Sequence, residues 1–349
     1  MGVWHLKIDA LDINQKTVYI GESDIAIIEN ITIDIAITMF PTSAGTGSIN
    51  ISLNWTTTCN TWLDYQLNPI FTPDNSFTQP NHVQEPKVIF DNGKFKMWYM
   101  NIYNAGKADI SYAESKDGIH WLTVVTEAVL TPSEAGKWDD YTVSPGPVIK
   151  EDGQYKMYYN GWHDQSEMEH IGLAVSADGI HWEKQNSPVL QANSIEYRLT
   201  ATSIVKKDGV YFLFYSYKPQ YSIEFRICLA TSSDGLNFTR YQGNPILVPT
   251  KSWEGYGLLY ATVIYEDGLF KMIYNNEERS AFGLATSTDG YSWTKKISNP
   301  VFKVENTTIN WCSNITYCNL IHSGNKYFLY YGGLNNGINK IGVALNNIL

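Results

Sequence analysis

Residues 176–182 read SADGIHW, and close variants return at 115–121 (SKDGIHW), 232–238 (SSDGLNF) and 287–293 (STDGYSW). The glycines fall at Gly118, Gly179, Gly235 and Gly290, so the steps are 61, 56 and 55 residues. A near-constant period of this length is the signature of a repeat architecture and decides the fold before any local reading.

Working outward from the turn, the second unit is the clearest. SPGPVIKEDGQYKMYYNGW is followed by HIGLAVSADGIHWEKQNSPVL. The first part contains a run ending in EDG at 151–153 and then the aromatic run QYKMYYN. Its counterparts are KFKMWYM at 94–100, VYFLFYS at 210–216, LFKMIYN at 269–275 and KYFLYYG at 326–332. Asp-Gly and Asn-Gly between apolar runs are strong hairpin signals, because both turn positions favour positive φ. Four short antiparallel strands per unit of about 55 residues describe a β-propeller blade, whose faces are covered by its neighbours. A β-sandwich would instead show polar–apolar alternation and no four-strand period.

The fifth unit ends at IGVALNNIL without a Trp-containing fourth strand. NTWLDYQLNPIF at 60–71 matches IHWEKQNSPVL at 180–190 and supplies the missing strand. The expected fold is therefore all-β: a five-bladed propeller over 60–349, closed by an N-terminal strand. Residues 1–59 stand outside the count as an accessory β-hairpin segment, with ITIDIAITMF at 31–40 and SINISLNW at 48–55 alternating with period two. They could cap the propeller, form a small sheet with TVYIG at 17–21, or be a sixth, degenerate blade.

The chain has 349 residues and a net charge of −10, which with no Lys/Arg cluster disfavours nucleic acid. No apolar run is long enough to span a membrane, and MGVWHLKIDALD does not read as a signal peptide. As written, the chain is expected in the cytoplasm, with a secreted or virion-associated protein the alternative. Cys59, Cys228, Cys312 and Cys318 lack zinc spacing and read as reduced thiols. No cofactor and no metal are expected: there is no phosphate loop, dinucleotide fingerprint or ligand cluster. GWHDQSEMEH at 161–170 is the nearest thing to one; it reads as a loop between the second and third strands of its blade, shaping a substrate rim or simply solvated.

In a propeller, function belongs to the axial funnel and its rim. The axial strands begin at VQEPKVI (83–89), VSPGPVI (143–149), LTATSIV (199–205), LYATVI (259–264) and ITYCNLI (315–321), and only the first carries a carboxylate, Glu85. GKWDDYTV (136–143) and KSWEGYGL (251–258) repeat a Trp-acid-x-Tyr device on the loops leading into the axial strands, in register with IEYRLT (195–200). Candidate acids are Asp139, Asp140, Glu196 and Glu254. Trp138, Tyr141, Trp162, Tyr197, Trp253, Tyr256 and Trp311 offer flat surfaces suited to sugar C–H faces, with His163 and Arg198 beside them. The loop Trp residues serve equally well as packing wedges, and the Trp of SADGIHW is read as such a wedge.

The SxDGxxW turn, the NPVL-type endings, the K-M-W-Y strand and Glu85–Pro86 resemble the five-bladed propeller glycosidases, the group that includes glycoside hydrolase families 43, 32, 62, 68, 117 and 130. The resemblance covers about 290 residues, from 60 to 349. It implies a base or nucleophile in the first blade, a supporting acid in the second and a Glu proton donor in the third; by position these are Glu85, Asp139 or Asp140, and Glu196. Glu stands at 85 where Asp-Pro is common, and the second axial strand reads SPGP without an acid. Either the acids come from the rim loops or the site has decayed. Two functions follow: a glycoside hydrolase, or related phosphorylase or transglycosylase, using paired carboxylates on an oligo- or polysaccharide; or a non-catalytic glycan-binding module of a surface or virion assembly.

Overall fold

The recurring turn is a docking element. In the computed structural model, the Ser176 hydroxyl accepts from the Gly179 N–H (2.8 Å), while Asp178 Oδ1 accepts from the Ile180 and His181 N–H groups (2.8 Å each). Gly179 sits at φ +85°, and a Cβ there would lie 3.0 Å from the Trp98 ring of the preceding blade. Trp98 Nε1 donates to the Gly179 carbonyl at 2.8 Å. The same bond recurs from Tyr158 to Gly235 (3.0 Å) and from Tyr330 to Gly118 (2.9 Å). The Trp of the motif folds back on its own turn and meets the neighbouring blade edge-on, as Trp182 does with Trp98 at 5.8 Å. The motif recurs because each of its four copies docks its glycine against an aromatic ring of a neighbouring blade.

The structure describes residues 2–11, 17–27, 40–41, 62–72, 82–103, 106–163, 168–219, 221–222, 224–308, 311–347 and 349. The chain divides into two compact units, Met1–Thr61 and Trp62–Leu349. In the first, Gly2–Leu11 pairs antiparallel with Thr17–Ile27, against which Phe40–Pro41 adds a short third strand. The TVYIG segment thus belongs to a small sheet; the alternating runs at 31–39 and 48–55 lie outside the described residues.

The second unit is an all-β propeller. Its first sheet is His82–Asp91, Lys94–Tyr103, Lys107–Ser115 and Trp121–Thr123. Arg198–Lys207, Val210–Lys218, Arg226–Ser232 and Thr239–Arg240 repeat that order, as do Leu258–Glu266, Leu269–Asn276, Ala281–Ser287 and Thr294–Lys295. Ile315–Ser323, Lys326–Asn335 and Ile338–Asn346 are completed by Leu63–Asp64 from the start of the unit, in the register Ala344↔Asp64.

The second repeat departs from this pattern for a reason visible in its sequence. Pro145 and Pro147 carry no N–H for the ladder, so its axial strand breaks into Thr142–Ser144 and Val148–Glu151. The upper piece pairs with Asn160–Trp162, then with Glu169–Ile171, which joins the next sheet through the parallel pair Glu169↔Arg198. Residues 161–162 and 169–170 are therefore strand, not loop as the sequence suggested.

Candidate active site

Three rim acids form one repeated structural clip, and in the last sheet Asp64, on the outer strand at the position Lys184 holds in the second repeat, takes the tyrosine instead. Asp139 accepts from the Tyr159 hydroxyl (2.9 Å) and pairs with Lys184 (2.6 Å). Glu254 accepts from Tyr274 (2.8 Å) and pairs with Lys295 (2.6 Å). Glu196 accepts from Tyr215 (2.8 Å) and pairs with Arg240. Asp64 accepts from Tyr331, with Asn68 Nδ2 at 2.6 Å. Asp139 and Glu254 are 1% and 0% exposed, so their charge is tolerable only because it is paired and hydrogen-bonded. The asparagine of each Asn-Pro ending completes the clip: Asn299 donates to the Tyr274 hydroxyl at 3.0 Å and brackets Leu284, accepting from its N–H (2.9 Å) and donating to its carbonyl (3.0 Å). Asn244 does the same with Tyr215 and Leu229.

The loop tryptophans belong to these clips. Trp138 stacks on Tyr159 (5.6 Å, 27°) and Trp253 on Tyr274 (5.9 Å, 26°), while Trp311 meets Tyr331 at 5.7 Å. Asp140 accepts from the Gly136 N–H and pairs with His163 Nδ1 (2.6 Å). Tyr256 stands exposed. Asp140 and Glu196 thus each hold groups of their own repeat, His163 and the Gly136 N–H for the first, Tyr215 and Arg240 for the second.

A different set of groups surrounds Glu85. Its strand bulges between Gln84 and Lys87, and Glu85 takes φ +54°. Tyr317 takes the same φ in the equivalent bulge between Thr316 and Asn319. Such bulges re-aim a side chain. Burial pushes the Glu85 carboxyl above its ordinary range, opposed by a hydrogen bond from Ser144 and by the charges of Lys87 and Arg279. Burial, with the Glu85 charge second, pushes Glu169 up to about 8, and Arg198 opposes the shift. Burial also raises Tyr317 to about 12, with Glu85 adding to it. Tyr260 lies 4.5 Å from Tyr317, ring to ring, and rises for the same reasons.

The sheet lines up the rest. Thr142, Trp162, Glu169 and Arg198 occupy one rung across four strands. Residues opposite one another on a rung share a face. The Arg198 guanidinium lies 4.8 Å from the Trp162 ring centroid, and Tyr141 meets that ring edge-on at 5.8 Å. Glu169 donates its backbone N–H to the Tyr197 carbonyl. Of the sequence candidates, Glu85, Trp162, Tyr197 and Arg198 are brought together around Glu169. Sequence reading placed Glu169 in the 161–170 loop, as substrate rim or solvated, and did not single out Ser144, Lys87, Tyr260, Arg279 or Tyr317.

The described residues hold no cluster of His, Cys, Asp and Glu able to bind a metal. Cys228, Cys312 and Cys318 are buried free thiols.

The propeller fold and the family it matches define the class: the propeller glycosidase superfamily. Residues 138–318 match the glycosyl hydrolases family 32 N-terminal domain, and the chain belongs to that family. It is 29% identical over 197 residues to an uncharacterised protein of Mycobacterium tuberculosis, covering 54% of this chain and 64% of that one. It is 30% identical over 122 residues to a 1,2-beta-oligomannan phosphorylase of Thermoanaerobacter sp., covering 32% and 41%. The chain thus spans less than two thirds of the length of these relatives. A glycosyl hydrolase structure from Bacteroides ovatus superposes with a TM-score of 0.62 at 18% identity, over 82% of this chain and 94% of that one; this likeness concerns the fold.

Proposed function

We propose that the protein cleaves a glycosidic bond with Glu85 and Glu169, within a ring of five blades. Ring closure is supported by Leu63–Asp64 completing the last sheet and by the Tyr330–Gly118 bond between the last and first sheets. The observation that carries the function is the unequal carboxyl pair. Two acids that repel one another titrate apart, so one proton stays while the other leaves. Burial raises both carboxyls, Glu169 to about 8, and at Glu85 the Ser144 hydroxyl and the charges of Lys87 and Arg279 oppose the rise, so we assign the charge to Glu85. Glu169 protonates the glycosidic oxygen, the C–O bond breaks, and the Glu85 carboxylate activates water or attacks the anomeric carbon. Trp162 and Tyr141 offer the sugar an aromatic wall.

A second reading is phosphorolysis. With Glu169 protonated, Arg198 and Arg279 outnumber the single Glu85 charge, and a surplus of cations suits an anionic co-substrate. The match to an oligomannan phosphorylase points the same way.

The test is a panel of β-mannosides, fructosides, arabinosides and aryl glycosides, incubated with and without phosphate. Free sugar in both conditions supports hydrolysis; sugar 1-phosphate, formed only with phosphate, supports phosphorolysis. Glu85→Gln and Glu169→Gln should each lower turnover by a factor of about 10² or more. Turnover surviving both changes, or glycan binding without turnover, would overturn the proposal.

A further inference from the structure

Trp162, Glu169 and Arg198 follow one another on a rung of three neighbouring strands, Asn160–Trp162, Glu169–Ile171 and Arg198–Lys207. Strands lie about 4.8 Å apart, so the backbones of the two outer residues are separated by roughly 10 Å. The Arg198 guanidinium nevertheless lies 4.8 Å from the centroid of the Trp162 ring. The arginine therefore crosses over Glu169 and rests on the tryptophan. A guanidinium that stacks by its face keeps its N–H fork free along the edge.

Among the described residues, Arg226 and Arg240 pair with Glu224 and Glu196, but the Arg198 guanidinium makes no hydrogen bond and no ion pair, even though Glu169 stands beside it. On the same rung Thr142 Oγ1 and Trp162 Nε1 are also without a hydrogen-bond partner, and both are buried. Unmet polar groups inside a protein are uncommon. A rung with three of them, all able to donate, suits an acceptor-rich ligand. Arg198 retains exposure, so its fork is the group such a ligand can reach.

A carboxylate satisfies a single fork with its two oxygens. A phosphate has a third oxygen to satisfy, and Lys87 is already spent on the Thr202 carbonyl at 3.1 Å, while Arg279 belongs to a turn of another repeat. The chain carries a net charge of −10, so long-range attraction does not bring an acidic ligand in and the cation has to act locally.

We propose that Arg198, stacked on Trp162, is the specificity-determining residue of this site and takes the carboxylate of an acidic sugar. The inference rests on the reading of this site as the sugar-cleaving centre and names its substrate class. Because the arginine lies over Glu169, whose proton goes to the glycosidic oxygen, the uronate it holds adjoins the scissile bond. Trp162 is then a positioning residue, which draws the guanidinium past Glu169 and leaves the fork open.

The experiment is a binding titration of the full chain, read on the ¹⁵N-indole resonance of Trp162, which is identified by its loss in Trp162→Phe. The probes are the methyl glycosides of glucuronate and galacturonate, the methyl ester of each, which is the same sugar without the charge, and inorganic phosphate alone. At least one acid should bind about tenfold or more tighter than its ester, the scale of one charge-assisted fork. Arg198→Gln should bring acid and ester to within about twofold of one another, and Arg198→Lys, which keeps the charge and loses the fork, should keep part of the preference. The comparison of acid with ester in the wild type needs no variant, so it stands if Arg198→Gln does not fold. Equal affinity for acid and ester, no binding of either, a preference that survives Arg198→Gln, or a shift by phosphate with none from the acids overturns the proposal. The titration needs no turnover, so this failure is distinct from failure of the sugar-cleaving reading, which aryl uronides added to the glycoside panel decide.

Discussion

Replacing Glu169 by glutamine should make the protein more resistant to unfolding at alkaline pH, which is an unusual consequence of deleting a candidate proton donor. The folded carboxyl titrates near 8 against a reference value of 4.5. Between those values the folded state holds a proton that the unfolded chain has released, so stability is fully present below about 4.5 and drains away as pH rises towards 8. At about 1.4 kcal/mol per unit, a shift of roughly 3.5 units sets an upper bound of about 5 kcal/mol. Glu169 retains some exposure, and allowing for solvent screening leaves about 1–3 kcal/mol. Glutamine keeps the size and loses the charge, so the variant should match wild type at pH 5 and exceed it at pH 9. For a protein of this size that is a difference of a few degrees in Tm. The assay is thermal unfolding by circular dichroism at pH 5, 7 and 9. Parallel pH dependence in the two proteins would show that Glu169 is an ordinary solvated carboxylate and would remove the reason for giving it the proton.

The rim clips lead to further expectations, each read by denaturant unfolding. Lys295→Met leaves Glu254 buried without its cation and should cost about 3–5 kcal/mol, the usual scale for breaking a buried pair; a loss under 1 kcal/mol would mean that Tyr274 and the loop N–H groups suffice. Asn299→Ala strands the Leu284 N–H and carbonyl and should cost about 1–3 kcal/mol per unmet group. Gly179→Ala combines positive φ with a close approach to Trp98 and should cost at least about 1 kcal/mol; a neutral result would show that the blade junction yields. Glu196→Gln should lower stability while leaving turnover within a few-fold of wild type, and loss of turnover without loss of stability would return Glu196 to the reacting centre.

Much of this was legible in the residues themselves. SADGIHW and its copies announced the blades because the turn, the glycine and the tryptophan are all dictated by docking against a neighbour, and docking repeats. The same logic misled the search for a site. Trp138, Asp139, Trp253 and Glu254 recur in register, and recurrence marks what every blade needs rather than what one substrate needs. Glu196, in register with them, carries the same structural duty. Glu85 stood out because it breaks the pattern of the axial strands. Glu169 was read as part of a loop because its strand forms by a different route: the Pro145–Pro147 break lets a half-sheet join the next repeat and bring Glu169 beside Arg198. Its partnership with Glu85 spans two blades and has no local signal.

The most direct measurement is the leaving-group dependence of Glu169→Gln, using the sugar that the substrate panel identifies. If Glu169 supplies the proton, an oligosaccharide with a poor leaving group should lose turnover by a factor of about 10² or more. A dinitrophenyl glycoside, whose leaving group needs no proton, should retain most of its rate, while Glu85→Gln abolishes both. Equal losses on the two substrates in Glu169→Gln would contradict the account, since a donor that matters equally when no proton is needed is not a donor.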